Sequence, residues 1–316
     1  MDTSPVSCNS LGKYFCVNGK RLEEQYVRYL SDFLDWDQLE HAENWILYPQ
    51  NISAALSIDE TSLSQGELYT VVTSKKGRGQ KGSLVAMIKG TDSEQVADVL
   101  KKIPLSKRNK VQEVTLDMAP SMQKIVSKCF PKATQVTDRF HVIQLASDAV
   151  QQIRIKHRWE AIDQENKEIE LSKETGNTYV ANRLENGDTL KQLLARSRYL
   201  LFKHENKWTP SQLIRSEILF NHYPDIEKAY NLYRELSGIY ENTTDKSVAL
   251  TKLARWYDKV EKAGFKAFNT IANTIKNNYT TILNYFINRS TNASAESFNA
   301  KIKAFRSQFR GVRNIP

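Results

Sequence analysis

The sequence predicts an α/β protein: a mixed five-stranded sheet flanked by helices, followed by a long all-helical stretch. Three observations predict it. Residues 51–89 carry short β-branched and aromatic runs separated by turn residues. Residues 90–138 alternate helix-patterned and strand-patterned segments. From Arg139 onward the apolar residues recur at helical spacing only.

Taken in order, residues 1–50 read as irregular and then helical, the helix covering "RLEEQYVRYLSDFLDWDQLEHAENW". Tyr26, Tyr29, Leu30, Phe33 and Leu34 form a stripe there that suits a dimerisation helix. "NISAALSIDE" gives a first strand ending near Asp59, and "SQGE" gives a turn. "LYTVVTSK" is a second strand, "KKGRGQKG" a basic glycine-rich hairpin loop, and "SLVAMIKG" a third strand. "DSEQVADVLKKI" places Val96, Val99, Leu100 and Ile103 on one helical face. "VQEVTLD" is a strand stopping at Asp117, "PSMQKIVSKCF" a helix with Pro120 in its first turn, and "ATQVTD" a strand stopping at Asp138. Short turns make the first three strands an antiparallel meander, and right-handed crossovers add the last two in parallel.

The helical stretch opens with "FHVIQLASDAVQQIRIKHRWEAI" and includes "TPSQLIRSEILF", where Thr209 and Gln212 make a capping box. Residues 171–189 are polar and rich in Gly and Asn, hence a loop.

With 316 residues, 40% of them hydrophobic, the chain has material for about two domains. Forty-five Lys and Arg against 36 Asp and Glu leave a net charge of +9, which favours polyanion partners without requiring them. Three scattered cysteines without a C-x-x-C pair exclude a zinc ribbon or finger and suit a reducing compartment. No signal peptide pattern and no run of 18 apolar residues is present, so a soluble cytoplasmic protein without a membrane partner is expected.

Asp59 and Asp117 are the first candidates for chemistry. Both fall near the carboxyl ends of strands, where ligands gather in such sheets. If the two strands are neighbours, the paired anions favour a divalent cation, and hard oxygen ligands in an open site suit Mg²⁺ or Mn²⁺. Each aspartate alone reads more readily as a cap or turn residue. Glu296 sits on a helix whose Phe298, Ile302, Phe305 and Phe309 form an apolar stripe. Asn292, Glu296, Asn299, Lys303, Arg306 and Arg310 share its other face. A lone Glu on a polar face can be merely solvated, yet amide and basic neighbours are what a helix presents to phosphates.

Four segments together, "LSIDET", "EVTLDMAPSM", "VTDRFHV" and "NRSTNASAESFNAKIK", resemble the DDE transposases of the ISL-three group of bacterial insertion sequences. The similarity runs from about Ser53 to Arg313. It implies a ribonuclease-H-like core interrupted by an all-α insertion domain. The implied division is an N-terminal helical segment 1–50, the first part of the core 51–144, the insertion 145–289, and a catalytic helix 290–316 completing the core.

By the same resemblance Asp59, Asp117 and Glu296 would be the catalytic carboxylates holding two Mg²⁺ (or Mn²⁺) ions. Asp138 and His141 fit a D-x-x-H signature found near such sites. The implied reaction is cleavage of DNA at insertion-sequence ends and strand transfer to target DNA, in a bacterial cytoplasm at the nucleoid. A nuclease without strand transfer and a non-catalytic DNA-binding derivative are the alternatives. Lys75, Lys76, Arg78 and Lys81 of the hairpin loop, with Asn292, Asn299, Lys301, Lys303, Arg306, Arg310 and Arg313, would hold the DNA backbone. Members of the group usually begin with a zinc ribbon and helix-turn-helix. This chain resembles the catalytic half of a split pair, which implies a separately encoded DNA-recognition partner and a homo-oligomer on DNA. A short C-terminal segment would also be missing.

Overall fold

A computed structural model describes residues 6–62 and 66–308. It opens with helices α1 (Cys8–Tyr14) and α2 (Gly19–Gln25), then strands β1 (Trp45–Leu47), β2 (Ala55–Ser62), β3 (Leu68–Ser74) and β4 (Leu84–Lys89). Next come α3 (Ser93–Lys101), α4 (Leu105–Arg108), β5 (Glu113–Leu116), α5 (Pro120–Cys129) and β6 (Thr134–Thr137). Seven helices follow: α6 (Arg139–Glu174), α7 (Leu190–Arg196), α8 (Pro210–His222), α9 (Pro224–Asn242), α10 (Lys246–Ala263), α11 (Lys266–Asn277) and α12 (Tyr279–Asn288). The last is α13 (Ala293–Gln308). The chain divides into two compact units, Met1–Asp138 with Ser290–Pro316, and Arg139–Arg289.

In the first unit six strands, rather than the five expected, lie in the order β1-β4-β3-β2-β5-β6. The β2–β3, β3–β4 and β1–β4 pairs are antiparallel; β2–β5 and β5–β6 are parallel. The extra strand is Trp45–Leu47, too short to show alternation in sequence. Its outer edge is closed by the buried Gln38, whose side-chain amide exchanges two hydrogen bonds with Leu47, at 2.8 and 2.7 Å. One side chain thus does for an exposed edge what a further strand would. The long helix expected over 21–45 is also interrupted. After α2 a single π turn, Tyr26–Leu30, ends at Ser31, whose hydroxyl bonds back to the Val27 carbonyl, 3.1 Å. Ser and Asp residues offer such local alternatives to helix continuation. Tyr29, Leu30 and Leu34 are exposed.

The two faces of the sheet differ. Leu56 and Ile58 of β2, Val72 of β3, and Val114 and Leu116 of β5 point to one face and pack with Val96, Leu100, Met122, Ile125 and Phe130 of α3, α5 and their ends. By the two-residue period of a strand, Ser57, Asp59 and Thr61, and Glu113, Thr115 and Asp117, point to the other. On that second face Tyr69, Val71 and Met87 make a small apolar patch on which Phe298 and Ile302 of α13 rest. The rest of the expected stripe does not follow: Phe305 is exposed, and Phe309 lies outside the described residues.

The second unit is wholly helical. The 36-residue α6 packs against α7, α9 and α11. Trp256 is fully buried and donates from Nε1 to the Leu232 carbonyl, 2.8 Å. Buried Arg154 spends its guanidinium on Gln151 Oε1 and the Leu194 carbonyl, at 2.7 and 2.8 Å. Buried Asp188 pairs with Arg196 and Arg215. The Thr209 capping box forms as expected. Of the aromatics in "LARSRYLLFKHENKW", Trp208 is anchored to the Leu200 carbonyl at 2.8 Å, whereas Tyr199 is exposed beside Arg198. No helix among the described residues is long and apolar enough to cross a membrane.

Candidate active site

The site begins where β2 and β5 part. Their parallel register pairs Ala55 with Glu113, Leu56 with Val114 and Ser57 with Thr115, and β5 then ends at Leu116. Two residues further along each chain stand Asp59 and Asp117. Asp59 is not at the end of its strand, as the sequence suggested. β2 runs on to Ser62 because its other neighbour, β3, continues to pair through Ser62 and Leu68. Relative to β5, however, Asp59 lies beyond the last pair, so the aspartates flank the opening between the strands.

Asp138 ends the neighbouring strand β6. Its backbone N–H donates to the Leu116 carbonyl at 2.9 Å, which sets it beside Asp117. In the parallel half Asp117 and Asp138 directly follow β5 and β6, and Asp59 lies within β2 just beyond its last pair with β5. Asp138 is 1% exposed, Asp117 half-buried.

Local hydrogen bonds orient two of these carboxylates. Asp59 Oδ1 accepts the Glu60 N–H at 2.9 Å, and Asp117 Oδ1 accepts the Met118 N–H at 2.5 Å. Glu60 is a fourth acid that the sequence reading passed over, although it is adjacent to Asp59. Its carboxyl is held above the ordinary carboxylate range, first by partial desolvation and then by the negative charges of Asp117 and Asp59. That electrostatic coupling indicates a concentrated anionic field at this end of the sheet.

α13 brings the other half of the site. Asn292, 1% exposed, directs Nδ2 to the Ile58 carbonyl at 3.5 Å, and its own carbonyl accepts the Glu296 N–H at 2.9 Å. Asn299 Nδ2 donates to Asp59 Oδ2 at 2.8 Å. Glu296 is exposed, three residues before Asn299 on the same helix. Asn299 is thus an α13 side chain in direct contact with the first aspartate. Among the described residues no three of His, Cys, Asp and Glu converge as a preformed metal cluster.

The basic residues separate into two groups. Lys75, expected at the DNA surface, is largely buried. Its ammonium pairs with Glu113 at 3.1 Å and bonds to Thr115 Oγ1, on the polar face of β5. Burial lowers its pKa, and the charges of Glu113 and Asp138 partly oppose that. Lys76, Arg78 and Lys81 are exposed on the hairpin loop and Lys303 is exposed on α13. Arg306, half-buried, lies in the electrostatic neighbourhood of Glu67 and Tyr69. Arg310 and Arg313 lie outside the described residues.

The hairpin loop is also a dock for α13. Lys301 Nζ donates to the Gly79 carbonyl at 2.8 Å. Gly79 has φ +70°, and a Cβ there would meet Ser297 Oγ at 3.0 Å and the Ser294 carbonyl at 3.1 Å. His141 belongs to the helical unit, in the first turn of α6, with its ring 5.8 Å from that of Phe140.

A mixed sheet flanked by helices, with aspartates grouped where its parallel strands part, defines an α/β protein consistent with a ribonuclease-H-like transposase core. The comparison with known families names the group: residues 56–316 match the model of a family described as transposase, the DDE type of the ISL-three group, and the chain belongs to that family. It is also similar to the transposase for insertion sequence element IS1001 of Bordetella parapertussis. The identity is 22% over 282 residues, covering 89% of this chain and 59% of that protein. The chain therefore spans less than two thirds of the relative's length.

Proposed function

We propose that this chain catalyses metal-dependent phosphoryl transfer on DNA, cutting at the ends of an insertion sequence and joining the freed ends to target DNA. The observation that carries the reading is the pair Asp59 and Asp117, flanking the gap between β2 and β5 in a chain of this family. The donor chemistry fits Mg²⁺ or Mn²⁺. Two aspartates share one end of the sheet, and the buried Asn299 Oδ1 beside them is reached by no protein donor among the described residues. Two such ions, when bound, would activate the attacking oxygen and stabilise the leaving one.

The protein's own groups do the rest. Asp59 and Asp117 supply fixed anionic oxygens, pre-oriented by the N–H groups of Glu60 and Met118. Glu296 supplies the third carboxylate, from the helix that already touches Asp59 through Asn299. Water attacks when an end is cut, and the resulting 3′-hydroxyl attacks target DNA. Lys76, Arg78 and Lys81 with Lys303, Arg306 and Arg310 hold the phosphate backbone, and Arg139–Arg289 is an inserted helical domain. Recognition of the element's ends by a separate protein, and assembly of several copies on DNA, complete the proposal.

The test is cleavage of a labelled element end by the purified chain in Mg²⁺, with and without a candidate recognition partner. Asp117→Asn keeps the side chain's size and removes its charge, and a rate loss of several orders of magnitude is expected with DNA binding retained. Cleavage at the wild-type rate would refute the assignment. Cleavage without joining of a pre-cut end to plasmid would favour a simple nuclease.

A further inference from the structure

We propose that Asn299 is a positioning residue for Asp59 and presents its side-chain oxygen as a neutral ligand to the divalent cation of the acid site. The inference rests on the function just proposed, and it assigns to an amide on α13 a role usually sought among carboxylates.

Chemistry fixes which way the amide faces. An ionised carboxylate only accepts hydrogen bonds, so the atom 2.8 Å from Asp59 Oδ2 must be the Asn299 nitrogen. Asp59 Oδ1 already takes the Glu60 N–H at 2.9 Å, so both of its oxygens have a set direction. Asn299 Oδ1 is then left out of the contact with Asp59. The residue is 6% exposed, and among the described residues no protein donor reaches this oxygen. A buried acceptor without a donor is destabilising, and proteins rarely retain one without a purpose.

Its surroundings decide what would satisfy it. Asp59, Asp117 and Glu60 make the local field negative, which attracts a cation and repels a phosphate. Amide oxygens are ordinary ligands of hard divalent ions. An aspartate in the same place would set two anions against each other in the metal-free protein. An asparagine instead donates to the carboxylate on one side and offers an oxygen on the other.

The experiment is Mn²⁺ binding to the full chain without DNA, followed by electron paramagnetic resonance and titration calorimetry. Folding of each variant is checked by near-ultraviolet circular dichroism. Asn299→Ala, and the closer isostere Asn299→Leu in case the first does not fold, are expected to weaken Mn²⁺ binding by about 10–100-fold. Asn299→Asp loses the donor but keeps an oxygen, so it should bind Mn²⁺ at least as tightly as the wild type. Wild-type affinity in the Ala or Leu variant, while Asp59→Asn loses binding, would overturn the role of Asn299 and leave the proposed function standing. Equal weakening in the Asp and Ala variants would overturn the ligand assignment. Unchanged affinity in Asp59→Asn would overturn the acid site itself, and this inference with it.

Discussion

Replacing Gly79 by alanine should loosen the helix that carries Glu296 and Asn299, although Gly79 lies far from both in sequence. The structure separates two costs. The left-handed backbone at φ +70° costs an L-residue about 1–2 kcal/mol, offset by about 0.4–1 kcal/mol from the stiffer unfolded chain. The new Cβ must also fit against Ser297 Oγ at 3.0 Å, which can rotate, and the Ser294 carbonyl at 3.1 Å, which is helix backbone and cannot. Overpacking of this kind costs about 1–3 kcal/mol. Gly82 is the internal control: it has φ +83°, but its nearest neighbour is Asn51 Oδ1 at 3.8 Å. Gly82→Ala should therefore cost about 1 kcal/mol from strain alone. Gly79→Ala should cost about 2–4 kcal/mol, the excess falling on the docking of α13. Hydrogen exchange read over Ala293–Gln308 measures this directly, because local opening free energy sets the rate. The α13 amides should exchange about 10-fold or more faster in Gly79→Ala and near the wild-type rate in Gly82→Ala. Equal acceleration in the two variants would show that the loop does not clamp the helix.

Four further outcomes are expected. Lys75→Met strands Glu113 in a buried site and should cost about 3–5 kcal/mol in denaturant unfolding, whereas Lys75→Met with Glu113→Leu should come close to neutral. Because the folded-state pKa of Lys75 is lowered, the unfolded chain binds more protons between that value and 10.5. Stability should therefore rise with pH through that window, and the rise should vanish in Lys75→Met. Native protein should show one rapidly titrating thiol, the exposed Cys16, and three in denaturant. Cys8 and Cys129 are buried, and burial pushes the Cys129 thiol up to about 11. On DNA, Lys76→Ala, Arg78→Ala and Lys81→Ala should each flatten the salt dependence of binding, by about 0.9 of a slope unit for every phosphate no longer neutralised, measured by fluorescence anisotropy. Lys75→Ala should not flatten it.

What the sequence disclosed, and what it hid, divides along the range of the forces involved. β2, β3 and β4 announce themselves by β-branched runs and turns, and the two crossovers by their helical spacing; these are local signals. β1 spans three residues and is held by a side-chain amide from Gln38, so no local pattern could reveal it. The aspartates stood out as a pair on strands expected to be neighbours and through the segments that resemble the transposase family, since either alone reads as a cap or turn residue. The partner of Lys75 was not, since Glu113 is brought to it only by the β2–β3 and β2–β5 pairings. In a basic glycine-rich loop a lysine looks like a surface charge. Asn299 was visible on the right face of the last helix, three residues after Glu296. Nothing in the helix alone says which of the two faces the sheet.

That ambiguity is the mechanistic question the fold poses. α13 rests on the sheet through Phe298 and Ile302, over a patch of three buried residues, and Ala295 of the same helix is fully buried. It is also held by polar contacts: Asn299 on Asp59, Asn292 on the Ile58 carbonyl and Lys301 on the Gly79 carbonyl. A helix fixed by a deep apolar core would have one position. A helix fixed by hydrogen bonds to an acid, a strand edge and a loop can exchange those bonds for others of similar strength. On the proposed reading, cations at Asp59 and Asp117 would be met by Asn299 Oδ1 while its Nδ2 stays on Asp59, and Glu296 would add its carboxylate from the same helix.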